Sequence, residues 1–195
     1  MLEQNLNIAL KEWDTVRDAL RSGRQTILLR KGGIADRGGH FALEHERFLI
    51  FPTFVHQDYK MLRPEAHARF QPCATEPDQI EIDTAAEVTH VVPISGRAQM
   101  DAIRAEHIWS EPLIETRFSY KPEKPLYLLI VRAHALGQPV TIANTPAYAG
   151  CKSWVPLDSA IDCRAAHPVI DDGSFTRRGA QIVSAIMQSM VQGVQ

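Results

Sequence analysis

A histidine, a glutamine and an aspartate follow one another in the segment FPTFVHQDYK, directly after aromatic and apolar residues. His56 could act as a general base that Asp58 orients, because an imidazole titrates near neutral pH. His56 and Gln57 could instead present donors and acceptors to the edge of a nucleobase. The alternative that the pattern favours is that the pair caps the helix following Pro52. We expect the segment to end a strand at the rim of a cleft, with its polar tip available to a ligand.

Basic residues cluster before and within a glycine-rich stretch. Residues 21–37 contain five arginines and lysines against one aspartate, a local charge of +4. Arg30 and Lys31 precede Gly32 and Gly33, where exposed backbone N–H groups could bind a phosphate. In a regular strand the two basic side chains would point to opposite faces, so only one could face a ligand. A hairpin turn flanked by solubilising charges is the alternative, and it is slightly favoured because no phosphate-loop motif is present.

The segment YAGCKSW adds a third group of polar side chains. Lys152 and Ser153 would be phosphate donors if this segment lay beside residues 30–33, as the first and last strands of a barrel often do. Trp154 would add an aromatic ring to the same place. We therefore expect the basic turn, the corner at residues 56–57 and residues 152–154 to meet around one hollow.

The histidines and carboxylates do not form a metal-binding pattern. The eight histidines include no HExxH motif and no pair with ligand spacing on an evident helix face. The five carboxylates Glu76, Asp78, Glu81, Asp83 and Glu87 could hold a nuclease cation. We expect the last three of them on the solvated face of a half-buried strand, which explains them without a metal. The sequence predicts neither a metal nor a cofactor.

Composition and charge narrow the class of protein. Of 195 residues, 45% are hydrophobic, which is enough for one domain with a sizeable core. The formal net charge of -2 means that contact with DNA or RNA must come from a local patch. The longest apolar run, PLYLLIV, is far shorter than the roughly 20 residues of a membrane span, and no signal peptide is recognisable. We predict a single domain over residues 1–195, no membrane partner and a cytoplasmic location.

Periodicity places these groups on helices and strands. Leu6, Leu10, Trp13 and Val16 recur at helical spacing, which predicts a first helix that ends near Gly23. Strands are predicted over 24–31, in two segments of 40–53, and over 80–94, 126–136, 139–142 and 151–157. Further helices are predicted after residue 95, after residue 110 and over 175–190. The order lacks the regular alternation of a doubly wound sheet, so it predicts an α+β fold.

Five stretches carry a family resemblance: Lys11-Glu12-Trp13, LLRKGGI, Pro52-Thr53 with His56-Gln57, LIVRAHAL, and YAGCKSW. Together they resemble a bacterial family catalogued as domain of unknown function eighteen hundred and two. The resemblance implies no catalytic residue, because that family has no assigned activity. Members can occur beside restriction-endonuclease domains of the Mrr type, which implies work on DNA in restriction. For this protein the nuclease would be a separate chain, or the association with a restriction endonuclease does not hold.

The order of elements also resembles the PUA-like barrels, particularly their EVE and ASCH branches. The similar features are an opening helix, a strand with basic residues, the alternating strand IEIDTAAEVTHVVPI, a helical insertion, and PLYLLIVRAHALGQPVTI before a closing segment. This resemblance implies a small pseudo-closed sheet whose cleft reads a flipped or modified base. We expect an α+β fold with a curved, mostly antiparallel sheet or a PUA-like β-barrel, flanked by helices.

Nucleic-acid recognition without covalent chemistry is the function that the sequence favours, with DNA or RNA as the partner. It could include reading a modified or flipped base in a restriction or defence system, beside a separate restriction endonuclease. One alternative is a nuclease or hydrolase that uses His56 with Asp58 or other carboxylates, and another is a protein interaction module. The predicted nucleic-acid-binding residues are Arg30, Lys31, Gly32, Gly33, His56, Gln57, Lys152, Ser153 and Trp154.

Overall fold

The computed structural model describes residues 3–31, 34–37, 40–150 and 152–192. The strands are β1 (Asn5–Trp13), β2 (Ile27–Arg30), β3 (Ile34–Arg37), β4 (His40–Leu43), β5 (Arg47–Thr53), β6 (Gln79–Ile94), β7 (Leu126–Ala143), β8 (Trp154–Asp162) and β9 (His167–Pro168). The α-helices are α1 (Asp14–Arg21), α2 (Arg97–Ala102), α3 (Glu111–Ser119) and α4 (Asp172–Gln192). Short 3-10 segments lie at Tyr59–Met61, Pro64–Arg69, Arg104–Glu106 and Pro146–Tyr148. None of the helices in these ranges combines the length and the apolar character that crossing a bilayer requires.

One curved sheet dominates the fold. Its strands lie in the order β2-β7-β6-β5-β1-β8, with β9 also paired to β7, while β3 and β4 form a separate hairpin. The β1–β5 pair is parallel and the other pairs are antiparallel. Within the described ranges no pairing joins β8 to β2, so the sheet stays open. The prediction of an α+β fold with a curved, mostly antiparallel sheet is confirmed.

The long strand β6 alternates as predicted over residues 79–82, but residues 83–86 are all buried and Glu87 is half-buried. A register shift interrupts its ladder with β7 between Ile82 and Thr84. Asp83 lies at this shift and is only 9% exposed, and its Oδ2 accepts a hydrogen bond from Arg17 Nη1 at 2.8 Å. The prediction that Asp83 faces solvent is therefore wrong, because a β-bulge changes which face the following residues occupy.

The N-terminal segment is a strand before it is a helix. Residues Asn5–Trp13 form β1, which pairs with β5 on one side and β8 on the other, and α1 begins only at Asp14. Leu6 and Leu10 are four residues apart, a spacing compatible with one face of a helix or of a strand. The prediction of a helix from Leu6 is wrong before Asp14, because two neighbouring strands provide hydrogen bonds along that segment. Gly23 ends the helix as predicted, with φ at 70° and its N–H donating to Leu20 O.

Both faces of the sheet are buried. Leu49 and Ile50, neighbours on β5, belong to different apolar clusters. The cluster around Ile50 includes Ile130 and Ile186, and the cluster around Leu49 includes Ile82. Burial of this apolar surface is the main favourable contribution to folding, and it holds the strands that carry the site in place.

Candidate functional site

A cavity of about 650 Å³ lies among β1, β2, β5, α3, the segments around residues 76 and 144–150, and Lys152. Its volume falls within the range of about 300–1,000 Å³ that is usual for small-ligand sites. Three kinds of side chain border it: the rings of Trp13, Phe51, Trp109 and Tyr148, the cations Lys11, Arg30, Arg117 and Lys152, and the carboxylates of Glu12 and Glu76. With four cations and two carboxylates, these charged side chains sum to +2 while the whole chain is at -2. The cavity therefore combines planar apolar surfaces with a local positive charge.

A buried ion pair borders the cavity. Arg30 Nη1 lies 3.1 Å from Glu12 Oε1, with side chains 12% and 9% exposed, and Arg30 Nη2 donates to Lys11 O at 3.1 Å. Burial lowers the pKa of Arg30, and the charge of Arg117 lowers it further, whereas Glu12 raises it. Arg30 nevertheless stays protonated, because the guanidinium is the most basic of the side chains and a carboxylate lies beside it. Within the described ranges Arg117 forms no ion pair, so its charge remains available to an anion.

Lys11 joins β1 to the segment on the other side of the cavity. Its Nζ donates to Tyr148 O and to Gly150 O, the latter at 3.0 Å, and lies 5.8 Å from the centre of the Phe51 ring. Tyr148 packs edge-on against Phe51, and its hydroxyl oxygen accepts a hydrogen bond from Asp158 N at 3.1 Å. Burial raises the pKa of Tyr148, which keeps its hydroxyl neutral. These contacts orient the rings that border the cavity.

Hydrogen-bond acceptors lie in another part of the lining. The Glu76 carboxylate accepts from the backbone N–H groups of Phe54 and Val55, each at 3.1 Å, directly after β5 ends. Asn144 Nδ2 donates to Pro77 O at 2.9 Å, and the Asn144 backbone N–H donates to Asp78 O at 2.8 Å. Segments 76–78 and 144–146 are therefore tied together, and Glu76 is held in one orientation.

Three of the predicted site residues, Arg30, His56 and Lys152, border this cavity. His56 is exposed, and its ring makes no hydrogen bond with any residue that the structure describes. Asp58 instead caps the 3-10 segment Tyr59–Met61, where its Oδ1 accepts from Lys60 N at 2.9 Å. The hydrogen bond that would make His56 and Asp58 a catalytic pair is therefore missing from the described part of the chain.

Two other predicted residues bind helix ends outside the cavity. Lys31 Nζ donates to the carbonyls of Phe118 and Tyr120, at 2.9 and 2.8 Å, where α3 ends. Gln57 Oε1 accepts from the backbone N and the Oγ1 of Thr15, at 3.0 and 2.9 Å. Gln57 thus caps α1, which precedes it in the sequence, and the expected cap on the helix after Pro52 is wrong for this residue.

Residues 153 and 154 have structural contacts with β1 and β5. Ser153 O accepts from Lys11 N at 2.9 Å beside the β1–β8 pair. The Trp154 ring packs edge-on against the rings of Phe48 and His45, with centres 5.0 and 4.9 Å away. Neither residue borders the cavity. Gly32 and Gly33, the remaining members of the predicted set, lie outside the described residues.

Sequence reasoning missed several residues of the cavity. Lys11 and Glu12 are among the residues that carry the family resemblance, which was a usable signal, but they were predicted on a helix instead of a strand. Glu76 was considered only as part of the acidic run of residues 76–87, and Arg117 has no local signal, because it is one charged residue on a helix. Trp109 precedes α3 and is buried, and it resembles an ordinary core residue in the sequence.

Comparison with solved structures gives low sequence identity and modest TM-scores. The ASCH protein from Zymomonas mobilis is similar at 16% identity, covering 91% of this chain and 93% of that chain, with a TM-score of 0.40. A mutant of that protein with a tyrosine changed to phenylalanine gives 17% identity, 77% and 88% coverage and a TM-score of 0.43. A mutant with a serine changed to alanine gives 14% identity, 90% and 94% coverage and 0.41.

Sequence comparison identifies the family. No curated protein matches the chain. A family model described as Domain of unknown function (DUF1802) matches residues 9–181, which include both residues of the buried ion pair and every residue that borders the cavity. Because the match spans most of the sequence, the chain belongs to the DUF1802 family.

Proposed function

We propose that this protein is a nucleic-acid recognition module whose cavity admits a single unstacked nucleotide. The observation that supports the proposal is that aromatic rings and cations border one cavity. The half-buried ring of Trp13 is available for stacking, and the buried ring of Trp109 borders the same cavity. Arg117 and Lys152 are available for contact with phosphate. Stacking on aromatic rings and pairing of phosphates with cations are the two interactions by which proteins hold unpaired nucleotides.

The distribution of charge favours a pocket over a surface that wraps a duplex. Binding of a duplex backbone usually draws on several lysines and arginines along an extended surface. This chain has a net charge of -2, with excess positive charge around the cavity. A base inside a duplex reaches such a cavity only after it leaves the stack, and that step is least costly for an unpaired or damaged base.

The bound base can belong to DNA or to RNA. A flipped or modified base in DNA would suit a restriction or defence system, in which this module marks the site and a separate restriction endonuclease cuts. Support for that setting comes from the family resemblance alone. The geometry of the cavity is equally compatible with RNA.

Fluorescence anisotropy of labelled oligonucleotides tests the proposal. The ligands are single-stranded DNA and RNA, matched duplexes and duplexes with one unpaired or modified base, each over a salt series. We expect single strands and duplexes with an unpaired base to bind more tightly than matched duplexes. Arg117→Gln should weaken binding and reduce the salt slope by roughly 0.7, the value for one lost phosphate contact on a single strand.

The matched control is Arg177→Gln, which removes an exposed arginine of α4 outside the cavity. It should leave both affinity and salt slope unchanged. Equal losses in the two variants, or no binding of any nucleic acid at low salt, would contradict the proposal. Cleavage with divalent cations that His56→Ala abolishes would replace recognition by hydrolysis as the function.

A further inference from the structure

The carboxylate of Glu76 has one oxygen that is only partly used. Oε1 accepts from both Phe54 N and Val55 N at 3.1 Å, whereas Oε2 shares only the Phe54 N–H, also at 3.1 Å. A carboxylate oxygen has two lone pairs, so Oε2 retains capacity for another donor. Glu76 is half-buried and borders the cavity. Glu76 Oε2 can therefore accept a hydrogen bond from a molecule in the cavity.

Asn144 adds a second acceptor to the same part of the lining. Its Nδ2 is used by Pro77 O at 2.9 Å, and no described residue donates to its Oδ1. Asn144 borders the cavity, and its backbone bond to Asp78 O holds it close to the segment that carries Glu76. The polar groups offered to a ligand here are thus one carboxylate and one amide oxygen, both acceptors.

Acceptors of this kind distinguish among nucleobases. Cytosine, adenine and guanine carry an exocyclic amino group that donates hydrogen bonds, whereas uracil and thymine carry a carbonyl oxygen at the position where cytosine has its amino group. A carboxylate binds an amino group by a charge-assisted hydrogen bond but repels a carbonyl oxygen. Glutamate and aspartate accept from the cytosine amino group in protein–DNA complexes for the same reason.

We infer that the cavity selects bases with an exocyclic amino group over uracil and thymine, and that Glu76 is the residue that reads this group. The inference rests on the proposed function, since it requires a base in the cavity. In this arrangement Glu76 determines which base is preferred, while the cations bind the phosphate of any nucleotide. Its geometry does not depend on ligand binding, because backbone N–H groups already hold the carboxylate.

The test compares cytidine monophosphate with uridine monophosphate by calorimetric titration. The two differ mainly in the amino group and the carbonyl oxygen that replaces it. We expect the protein to bind the cytidine nucleotide at least about tenfold more tightly, the size typical of one hydrogen bond to a charged group. Glu76→Gln should remove or reverse this preference, because the glutamine oxygen can keep accepting from Phe54 and Val55 while its amide nitrogen donates to the uracil carbonyl.

Asp78→Asn is the matched control, because it removes an exposed carboxylate two residues away and keeps the backbone carbonyl that Asn144 uses. It should leave the preference intact. A ligand-side measurement needs no mutation: cytidine monophosphate dimethylated on its exocyclic nitrogen has no donor there, and it should bind as weakly as the uridine nucleotide. Equal affinity of the unmodified protein for both nucleotides would overturn the inference and leave the proposed function standing. Absence of binding to either would count against the proposed function itself.

Discussion

Arg30 on β2 and Glu12 on β1 form an ion pair of 3.1 Å, although three strands, β7, β6 and β5, separate them in the sheet. Neighbouring strands lie about 4.8 Å apart, so side chains four strands away meet only when the sheet curls across its width. The side chains of this pair border the cavity. The curvature of the sheet that brings these two side chains together therefore also forms the cavity.

Loss of one partner of this pair should destabilise the fold. Glu12→Ala leaves the charge of Arg30 buried without its partner, and we expect the free energy of unfolding to fall by about 3–5 kcal/mol. Urea denaturation of the variant and the unmodified protein measures the change. The double variant Glu12→Ala with Arg30→Met should lose less stability than the sum of the losses in Glu12→Ala and Arg30→Met, because it leaves no unpaired charge. If the stability losses of the two single variants add up in the double variant, Glu12 and Arg30 are not energetically coupled.

Gln57 should contribute to stability more than His56 does. Gln57→Ala removes the acceptor from an N–H in the first turn of α1, and the loss of a helix cap typically costs about 1 kcal/mol. His56→Ala is the neighbouring control, and an exposed side chain of this kind should change stability by less than about 0.5 kcal/mol. Thermal and urea denaturation of both variants measure the difference. If the two variants lose the same amount of stability, the Gln57 cap contributes no more than an exposed side chain does.

Stability should fall in mildly acidic solution because of His107. This side chain is buried, and burial, reinforced by the charge of Arg63, lowers its pKa from 6.5 to about 4. Between these values the unfolded chain binds more protons than the folded chain. The free energy of unfolding should therefore decrease as the pH falls through this window, by up to about 3 kcal/mol for this group.

The variant His107→Phe keeps a ring beside Trp109 and removes the titrating group. Urea denaturation from about pH 7 to about pH 4.5 should show a shallower decrease for the variant than for the unmodified protein. Some decrease should remain, because burial also lowers the pKa of His134. If the stability of the two proteins depends on pH in the same way, His107 is not a source of the decrease in stability at low pH.

Tryptophan fluorescence should report on occupation of the cavity. Trp13 and Trp109 border the cavity, whereas Trp154 packs against Phe48 and His45 outside it. A stacked nucleotide should quench the emission of the unmodified protein and of the Trp154→Phe variant. The quench should shrink in Trp13→Phe, because one of the two reporting rings is gone. A quench that disappears only with Trp154 would place the nucleotide at another surface.

Local pattern in the sequence determined much of the secondary structure. The alternation of residues 80–94 predicted β6, the apolar run of 126–136 predicted the first part of β7, and the spacing of Ile182 and Ile186 predicted α4. Each of these elements repeats one pattern over many residues. Of the predicted site residues, the structure brings Arg30, His56 and Lys152 to one cavity. The signal for Arg30 and Lys152 was a basic residue near a glycine, and the signal for His56 was a polar group at the end of a strand.

Only the tertiary structure decided the remainder. Neighbouring strands made residues Asn5–Trp13 a strand, a bulge buried Asp83, and a curled sheet brought Glu12 to Arg30. Lys11 and Gly150 are 139 positions apart and still share a hydrogen bond. Periodicity depends on residues close in sequence, whereas strand pairing, register and charge pairing depend on residues that meet only when the chain folds. The elements could therefore be predicted locally, and the cavity could not.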